Sequence, residues 1–374
     1  MSQKFRAYVF LQPGKGEIQT FEIPEMTDDR ALLKVEACGI CGTDKHYFQG
    51  HSPAAPFPFI SGHEFIGTIV KLGKKANEGM AVFGGPLQEG DRVAVAPASL
   101  GCGTCPFCLT MPHRPALCPN RSVYGFSSTK KIPPYFGGFS EYICLYPKSY
   151  VFKLPKDMSL KRAVLTEPVA AALRAVERAY NPGEAFMGHG YGVGRNAMVL
   201  GAGPIGAMAV ACLRYTGAGM IIAQDLFPSR LELAKKMGAD VLIDGTQPLQ
   251  KRLDEVRKLT NGLGPDVVIE AAGAPAAFQE ALEFVRRGGK LIEVGHFTDN
   301  GPTVIHPFTM CFKDVDIHGS WSYPAVIFRD AISFLERTTL PVEDAVSHVL
   351  PLDDFQKGME LTGNEKAGKI AIAP

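Results

Sequence analysis

The chain has 374 residues, 46% hydrophobic and 21% charged, enough to build about two folded domains and too apolar for a disordered chain. Lysine and arginine total 39 against 38 acidic residues, a net charge of +1 with no basic block, which argues against a nucleic-acid partner. The longest apolar runs, such as Val169 to Leu173, are too short to span a bilayer, so no membrane association is expected.

The N-terminal residues Met1 to Arg6 lead straight into a strand-like Ala7 to Phe10 without an apolar leader, which predicts a cytoplasmic protein. Its nine cysteines are then expected as thiols and metal ligands rather than disulfides. Short strands separated by Gly/Pro turns follow, at Ala31 to Ala37, Phe65 to Val70 and Asp91 to Val95, and predict a β-rich unit. Near Glu167 the texture changes to an Ala-rich helix over Val169 to Ala179. From Ala197 onward strands and helices alternate. Strands are expected at 197–200, 220–223, 241–243, 267–269 and 291–294, with helices at 207–215, 230–237 and 277–285. That βαβ alternation predicts a parallel sheet with helices on both faces. The tail holds a segment Phe308 to Gly319, a helix from Ala325 to Glu336 and a last strand Lys369 to Ile372. Two Gly-rich stretches, Asn77 to Pro86 and Phe186 to Arg195, read as inserted surface loops.

The most specific local pattern is Cys102-x2-Cys105-x2-Cys108-x9-Cys118. Four thiolates on one compact loop satisfy a tetrahedral zinc ion and leave it no open position, so the expected role is structural. The glycine motif Gly201-Ala202-Gly203-Pro204-Ile205-Gly206 follows a predicted strand and opens a predicted helix, the context in which GxGxxG binds a dinucleotide. Gly201 permits the tight turn, Gly203 lets the backbone approach a pyrophosphate, and Gly206 allows close helix packing. Asp225 ends the second strand, where a carboxylate accepts from a free ribose 2′-hydroxyl and repels a 2′-phosphate, which favours NAD over NADP. Arg230 is expected beside the adenine or beside Asp225.

A second set of ligand-type residues lies at Gly39-Ile40-Cys41-Gly42-Thr43-Asp44-Lys45-His46 and Gly62-His63-Glu64. Catalytic zinc takes about three protein ligands and keeps one position open. Cys41 and His63 are the first two candidates, with Glu64 and Glu167 competing for the third. Each also has an ordinary explanation: a buried thiol, a core imidazole, a salt-bridge acid, an acid in the first turn of a helix. Together, beside a nucleotide fold, they point to a catalytic metal. Phe57, Phe59, Phe136, His296 and Trp321 are candidate pocket residues by position, with core packing the more ordinary role for each.

These motifs, in this order and with Glu167-Pro168 and Lys366-Ala367-Gly368-Lys369, resemble the medium-chain zinc-dependent dehydrogenases, in the sorbitol and threonine dehydrogenase branch, over essentially the whole chain. The resemblance implies an α/β protein: a GroES-like, β-rich catalytic domain built from residues 1–168 and 306–374, with a doubly wound Rossmann domain at 169–305. It puts Cys41, His63 and Glu167 on catalytic zinc positions, and Glu64 on an acid that binds zinc or exchanges with its water. Thr43 and His46 fall on a proton relay, Asp44 beside His63, and Lys369 near the cofactor phosphates. It implies NAD, two zinc ions per chain, hydride transfer between NAD and a secondary alcohol or polyol, and a homodimer or homotetramer. The alternatives are a zinc-free quinone or enoyl reductase on the same fold, opposed by Cys41, His63, the cysteine loop and Asp225, and a non-catalytic binding protein, opposed by the Thr43 and His46 relay. Three departures from the family pattern stand out: the longer last gap of the cysteine loop, the longer approach to Gly201, and the extra residues 77–86.

Overall fold

The computed structural model describes residues 4–23, 25–52, 55–98, 101–112, 114–130, 137–180 and 192–374. They form two compact units. One comprises Met1–Glu167, Ser322–Glu336 and Val346–Pro374; the other comprises Pro168–Trp321 and Arg337–Ala345. Among the described residues no helix is long and apolar enough to cross a membrane.

The first unit is the β-rich one. An eight-stranded sheet has Ala31–Ile40 near its centre, hydrogen-bonded to Glu64–Leu72 on one side and Lys369–Ala373 on the other, with Tyr142–Leu145 joining its first half. A smaller three-stranded sheet is made from Lys4–Gln12, Lys15–Glu22 and Phe59–Ile60. Aromatic rings fill the space beneath: Phe10 lies 5.2 Å from Phe59, and Phe139 lies 4.7 Å from Phe355, all four fully buried. Each such ring contributes roughly 1.5–3 kcal/mol by leaving water. Phe59 is therefore core rather than pocket.

The second unit is a six-stranded parallel sheet. In spatial order its strands are Val241–Asp244, Ile221–Asp225, Ala197–Leu200, Val267–Glu270, Lys290–Glu293 and Asp316–Gly319. Numbered along the chain this is 3-2-1-4-5-6, the doubly wound dinucleotide-binding order. The central strands Ala197–Leu200 and Val267–Glu270 are buried at every position, as a sheet covered on both faces requires.

Two expectations change. Residues 77–86 are not simply a surface loop. They include a short helix, Ala76–Gly79, and a strand, Ala81–Phe83, which pairs in parallel with Tyr150–Lys153 at the edge of the eight-stranded sheet. Asn77 fixes the stretch after that strand, its amide donating to Leu87 O at 3.1 Å and accepting from Leu87 N at 2.8 Å. The parallel-sheet unit also runs past residue 305, because Asp316–Gly319 supplies its sixth strand. Phe136 and residues 186–191 of the second expected insertion lie outside the described residues.

Candidate active site

Strand register assembles the site. Gly39 faces Glu64 across one antiparallel pairing, and Ile40 faces Ile370 across the other. The end of the central strand therefore meets the beginnings of both neighbours, bringing Cys41, Glu64 and Lys369 together.

 The central strand ends at Ile40, and its two neighbours start at Glu64 and Lys369. Gly39 is needed for this: a Cβ there would come within 2.0 Å of Glu64 Oε2. The helix Gly42–Phe48 starts directly after Cys41, whose backbone N–H donates to Asp44 Oδ2 at 2.8 Å and so caps the turn.

One ligand atom from each of Cys41, His63 and Glu64 lies within 4.8 Å of the others. Two buried atoms of this triad, His63 Nδ1 and Glu64 Oε2, have no hydrogen-bond partner. Buried polar atoms without partners cost free energy, and a cation would satisfy the carboxylate oxygen. A thiol, an imidazole and a carboxylate converging here form a donor set that zinc accepts. Asp44 backs the triad. It is fully buried, accepts from Ser61 Oγ at 2.5 Å, and lies 3.7 Å from His63 Nδ1. Burial alone would raise its carboxyl, but His63, Ser61 and the Cys41 N–H outweigh that and hold it below the ordinary value. Burial works against charge on His63 as well, yet Asp44 and Cys41 raise its pKa well above the usual imidazole range.

Lys369 lies inside this unit, 4% exposed, with Nζ donating to Glu64 Oε1 at 2.6 Å and to Ile40 O at 3.2 Å. Burial disfavours its charge, but Glu64 and Cys41 more than compensate, so its pKa is raised. The expected phosphate-side cation is thus committed to Glu64. Glu167, in the first turn of Thr166–Ala179, stands outside the triad. Its Oε1 accepts from Tyr323 Oη at 2.6 Å. Burial, then the nearby charge of Glu64, raises its carboxyl pKa, while His63, Tyr323 and Lys369 pull the other way. Thr43 is buried, with Oγ1 3.6 Å from Cys41 Sγ. His46 faces His51, Nδ1 to Nδ1, at 3.4 Å, and burial together with His51 and Lys45 lowers its pKa.

The four loop cysteines Cys102, Cys105, Cys108 and Cys118 also converge within 4.8 Å. Cys102 and Cys108 sulfurs are 4.0 Å apart, and Cys105 and Cys118 sulfurs 3.8 Å. A tetrahedron with zinc–sulfur bonds of about 2.3 Å has edges of about 3.8 Å, close to these two separations. The Thr104 N–H and hydroxyl and the Cys105 N–H push the Cys102 thiol down to about 5, into the thiolate form that binds metal. Cys105→Ser is expected to remove one zinc equivalent per chain and lower the unfolding temperature by several degrees, leaving turnover per folded molecule intact. Metal analysis, thermal unfolding and steady-state kinetics on the same preparation check this; a fully stable but inactive variant would contradict a structural role.

In the parallel-sheet unit, Gly201 follows the strand Ala197–Leu200 at φ +88°, and a Cβ on it would lie 2.5 Å from Ala272 N. A Cβ on Gly206 would lie 1.8 Å from Gly201 O, so the helix can start this close only with glycine there. Gly203 caps Pro204–Tyr215 and nothing stands within 4 Å of where its Cβ would be; Pro204 and Ile205 form the first turn. The buried Asp225 accepts from Ala202 N at 2.7 Å and Phe227 N at 3.0 Å, tying strand end to glycine turn. Arg230 lies 3.8 Å from Asp225 and over the Phe227 ring.

Comparison with known proteins agrees with both halves of this description. The chain matches the alcohol dehydrogenase GroES-like domain over residues 27–156 and the zinc-binding dehydrogenase domain over residues 204–337. It is 36% identical to the sorbitol dehydrogenase of Bacillus subtilis over 378 aligned positions, covering 100% of this chain and 98% of that protein. The chain belongs to the medium-chain zinc-dependent alcohol and polyol dehydrogenases. Among solved structures, an alcohol dehydrogenase from Thermotoga maritima superposes with a TM-score of 0.90 at 28% identity, covering 100% of both chains. A zinc-binding dehydrogenase from Sinorhizobium meliloti, solved with NADP bound, matches at a TM-score of 0.83 and 27% identity, again covering 100% of both chains.

As a member of this dehydrogenase family the chain is an oxidoreductase that uses zinc and a nicotinamide nucleotide. Sequence reasoning missed two residues of the dehydrogenase site. Tyr323, 5% exposed, holds Glu167 from 156 positions away, and no local pattern announces it. Phe126 packs on His63 with ring centroids 4.9 Å apart. Of the pocket candidates, Phe57 packs partly buried against Phe59, and Trp321, 45% exposed, stacks on Phe297 at 4.4 Å. His296 joins Glu293 and Glu270 instead.

Proposed function

We propose that this dehydrogenase oxidises a secondary alcohol or polyol to the ketone with NAD as hydride acceptor, and catalyses the reverse reduction. The Cys41, His63 and Glu64 triad, with the buried Glu64 Oε2 that no hydrogen bond satisfies, carries the reading. A zinc ion held by Cys41, His63 and a carboxylate from Glu64 or Glu167 would act as a Lewis acid and lower the pKa of the substrate hydroxyl. Thr43 then accepts the hydroxyl proton and passes it toward His46. The lowered pKa of His46 keeps its ring neutral near pH 7, with a lone pair free to take that proton. Asp44 steadies His63, and Tyr323 orients Glu167 by donating to it. The four-cysteine loop holds a second zinc. The polyol side of the reading draws on the sorbitol dehydrogenase relative and on the resemblance that puts Glu167 at a catalytic zinc position. We further propose a cytoplasmic homodimer or homotetramer.

Metal analysis combined with NAD reduction over a panel of alcohols tests the reading. The expected result is two zinc ions per chain and turnover of one class of secondary alcohol or polyol; metal-free protein with full activity would sink it. Asp225 supports NAD over NADP, since its carboxylate would repel a 2′-phosphate. Asp225→Asn removes the charge but keeps only one acceptor, because Ala202 N–H donates to Oδ2 and Phe227 N–H to Oδ1, so thermal unfolding is measured on the same preparation. The substitution is expected to shift the ratio of kcat/KM for NAD over NADP at least about tenfold toward NADP, or about 1.4 kcal/mol of discrimination. An unchanged ratio would remove Asp225 from the selectivity argument.

A further inference from the structure

Three side chains of the parallel-sheet unit belong to neither cysteine-bearing cluster. Glu270 ends the strand Val267–Glu270, Glu293 ends the adjacent strand Lys290–Glu293, and the two are direct register partners. The parallel pairing therefore sets two carboxylates side by side at the carboxyl ends of the strands. His296 follows three residues after Glu293, with Nδ1 3.0 Å from Glu293 Oε1 and 3.6 Å from Glu270 Oε2. One ligand atom from each of the three lies within 4.8 Å of the others.

Each carboxylate spends one oxygen on the backbone. Glu270 Oε1 accepts from Ala272 N at 2.8 Å and Gly273 N at 2.9 Å, and Glu293 Oε1 accepts from His296 N at 3.0 Å. The second oxygens, Oε2 of both residues, are buried and have no hydrogen-bond partner. The Glu270 side chain is wholly buried, at 0% exposure. Among the described residues, His296 is the single ion-pair partner of either acid. Two carboxylates side by side out of water need a proton or a cation between them, and an imidazole completes a mixed nitrogen and oxygen donor set.

We propose that Glu270, Glu293 and His296 form a third metal site, for a hard first-row divalent cation such as Mn2+. Two oxygens and one nitrogen come from the protein, and water fills the remaining positions. The site borders the nucleotide motif: the Ala272–Gly273 turn pinned by Glu270 packs against Gly201. It does not depend on the catalytic reading of Cys41.

The test uses the zinc-loaded full chain titrated with Mn2+, with free ion counted by electron paramagnetic resonance and zinc content followed in parallel. Wild type is expected to bind one Mn2+ per chain without losing zinc. Glu293→Gln and His296→Gln should each weaken that binding at least about tenfold, the scale on which even outer-shell changes act. Cys41→Ala should retain it. Absence of Mn2+ binding by wild type overturns the proposal. So does unchanged binding in both variants, or loss of the ion in Cys41→Ala, which would assign it to the other triad.

Discussion

Cys41→Ala is expected to lower kcat/KM for alcohol oxidation by at least about 10³-fold while nucleotide binding stays unchanged. The size follows from the several kcal/mol that a Lewis acid contributes, at about 1.4 kcal/mol per factor of ten. Cys41 is the thiol of a triad whose other members, His63 and Glu64, belong to the same compact unit. The glycine turn and Asp225, whose hydrogen bond to Ala202 holds that turn, belong to the other unit. Cys41 also contributes its backbone N–H to Asp44, and alanine keeps that bond. The fold should therefore survive, and the loss should fall on chemistry. Steady-state kinetics, a titration of NADH fluorescence and metal analysis separate the possibilities. Full activity would end the metal-based reading, and a parallel loss of nucleotide affinity would show that the damage is global.

The parallel-sheet unit was legible because its signals are local. Ala197–Leu200 is apolar throughout and is followed at once by the glycine turn, so pattern and motif coincide. The helix Leu249–Leu259 escaped because charged residues crowd between its few apolar anchors, of which Leu253 and Val256 are buried. The strand Ala81–Phe83 escaped because it has three residues, all partly exposed, and owes its existence to pairing with Tyr150–Lys153. In the site, Cys41, His63 and Glu64 could be picked out because they sit in short Gly-rich motifs. Their partners could not. Tyr323 meets Glu167 and Lys369 meets Glu64 across 156 and 305 positions, through tertiary packing alone. Gly39 gave no local sign of its role, because only the strand pairing shows that it faces Glu64 and leaves room for that carboxylate.

Lys369→Met is expected to destabilise the metal-free protein by about 3–5 kcal/mol, the cost of leaving one member of a buried ion pair uncompensated. The pair is deep: the Lys369 and Glu64 side chains are 4% and 0% exposed, and they meet at 2.6 Å. Methionine fills similar volume, so the loss should report charge rather than packing. Adding Glu64→Gln removes the orphaned charge, and the double variant should recover much of the stability, giving a large coupling energy in the double-mutant cycle. Zinc adds a second discriminating readout. Glu64 Oε2 has no hydrogen-bond partner, Glu64 lies in the cluster with Cys41 and His63, and losing Lys369 frees Oε1 as well. A cation at the triad could then take over the compensation that the ammonium supplied. Zinc should therefore stabilise Lys369→Met more than it stabilises wild type, as read by urea unfolding with chelator and with added metal. Equal gains in both proteins would mean that Glu64 does not contact the ion. Wild-type stability of the metal-free Lys369→Met variant would mean that the carboxylate does not need the ammonium. Equal gains would return the third ligand position to Glu167, which Tyr323 already holds by its Oε1.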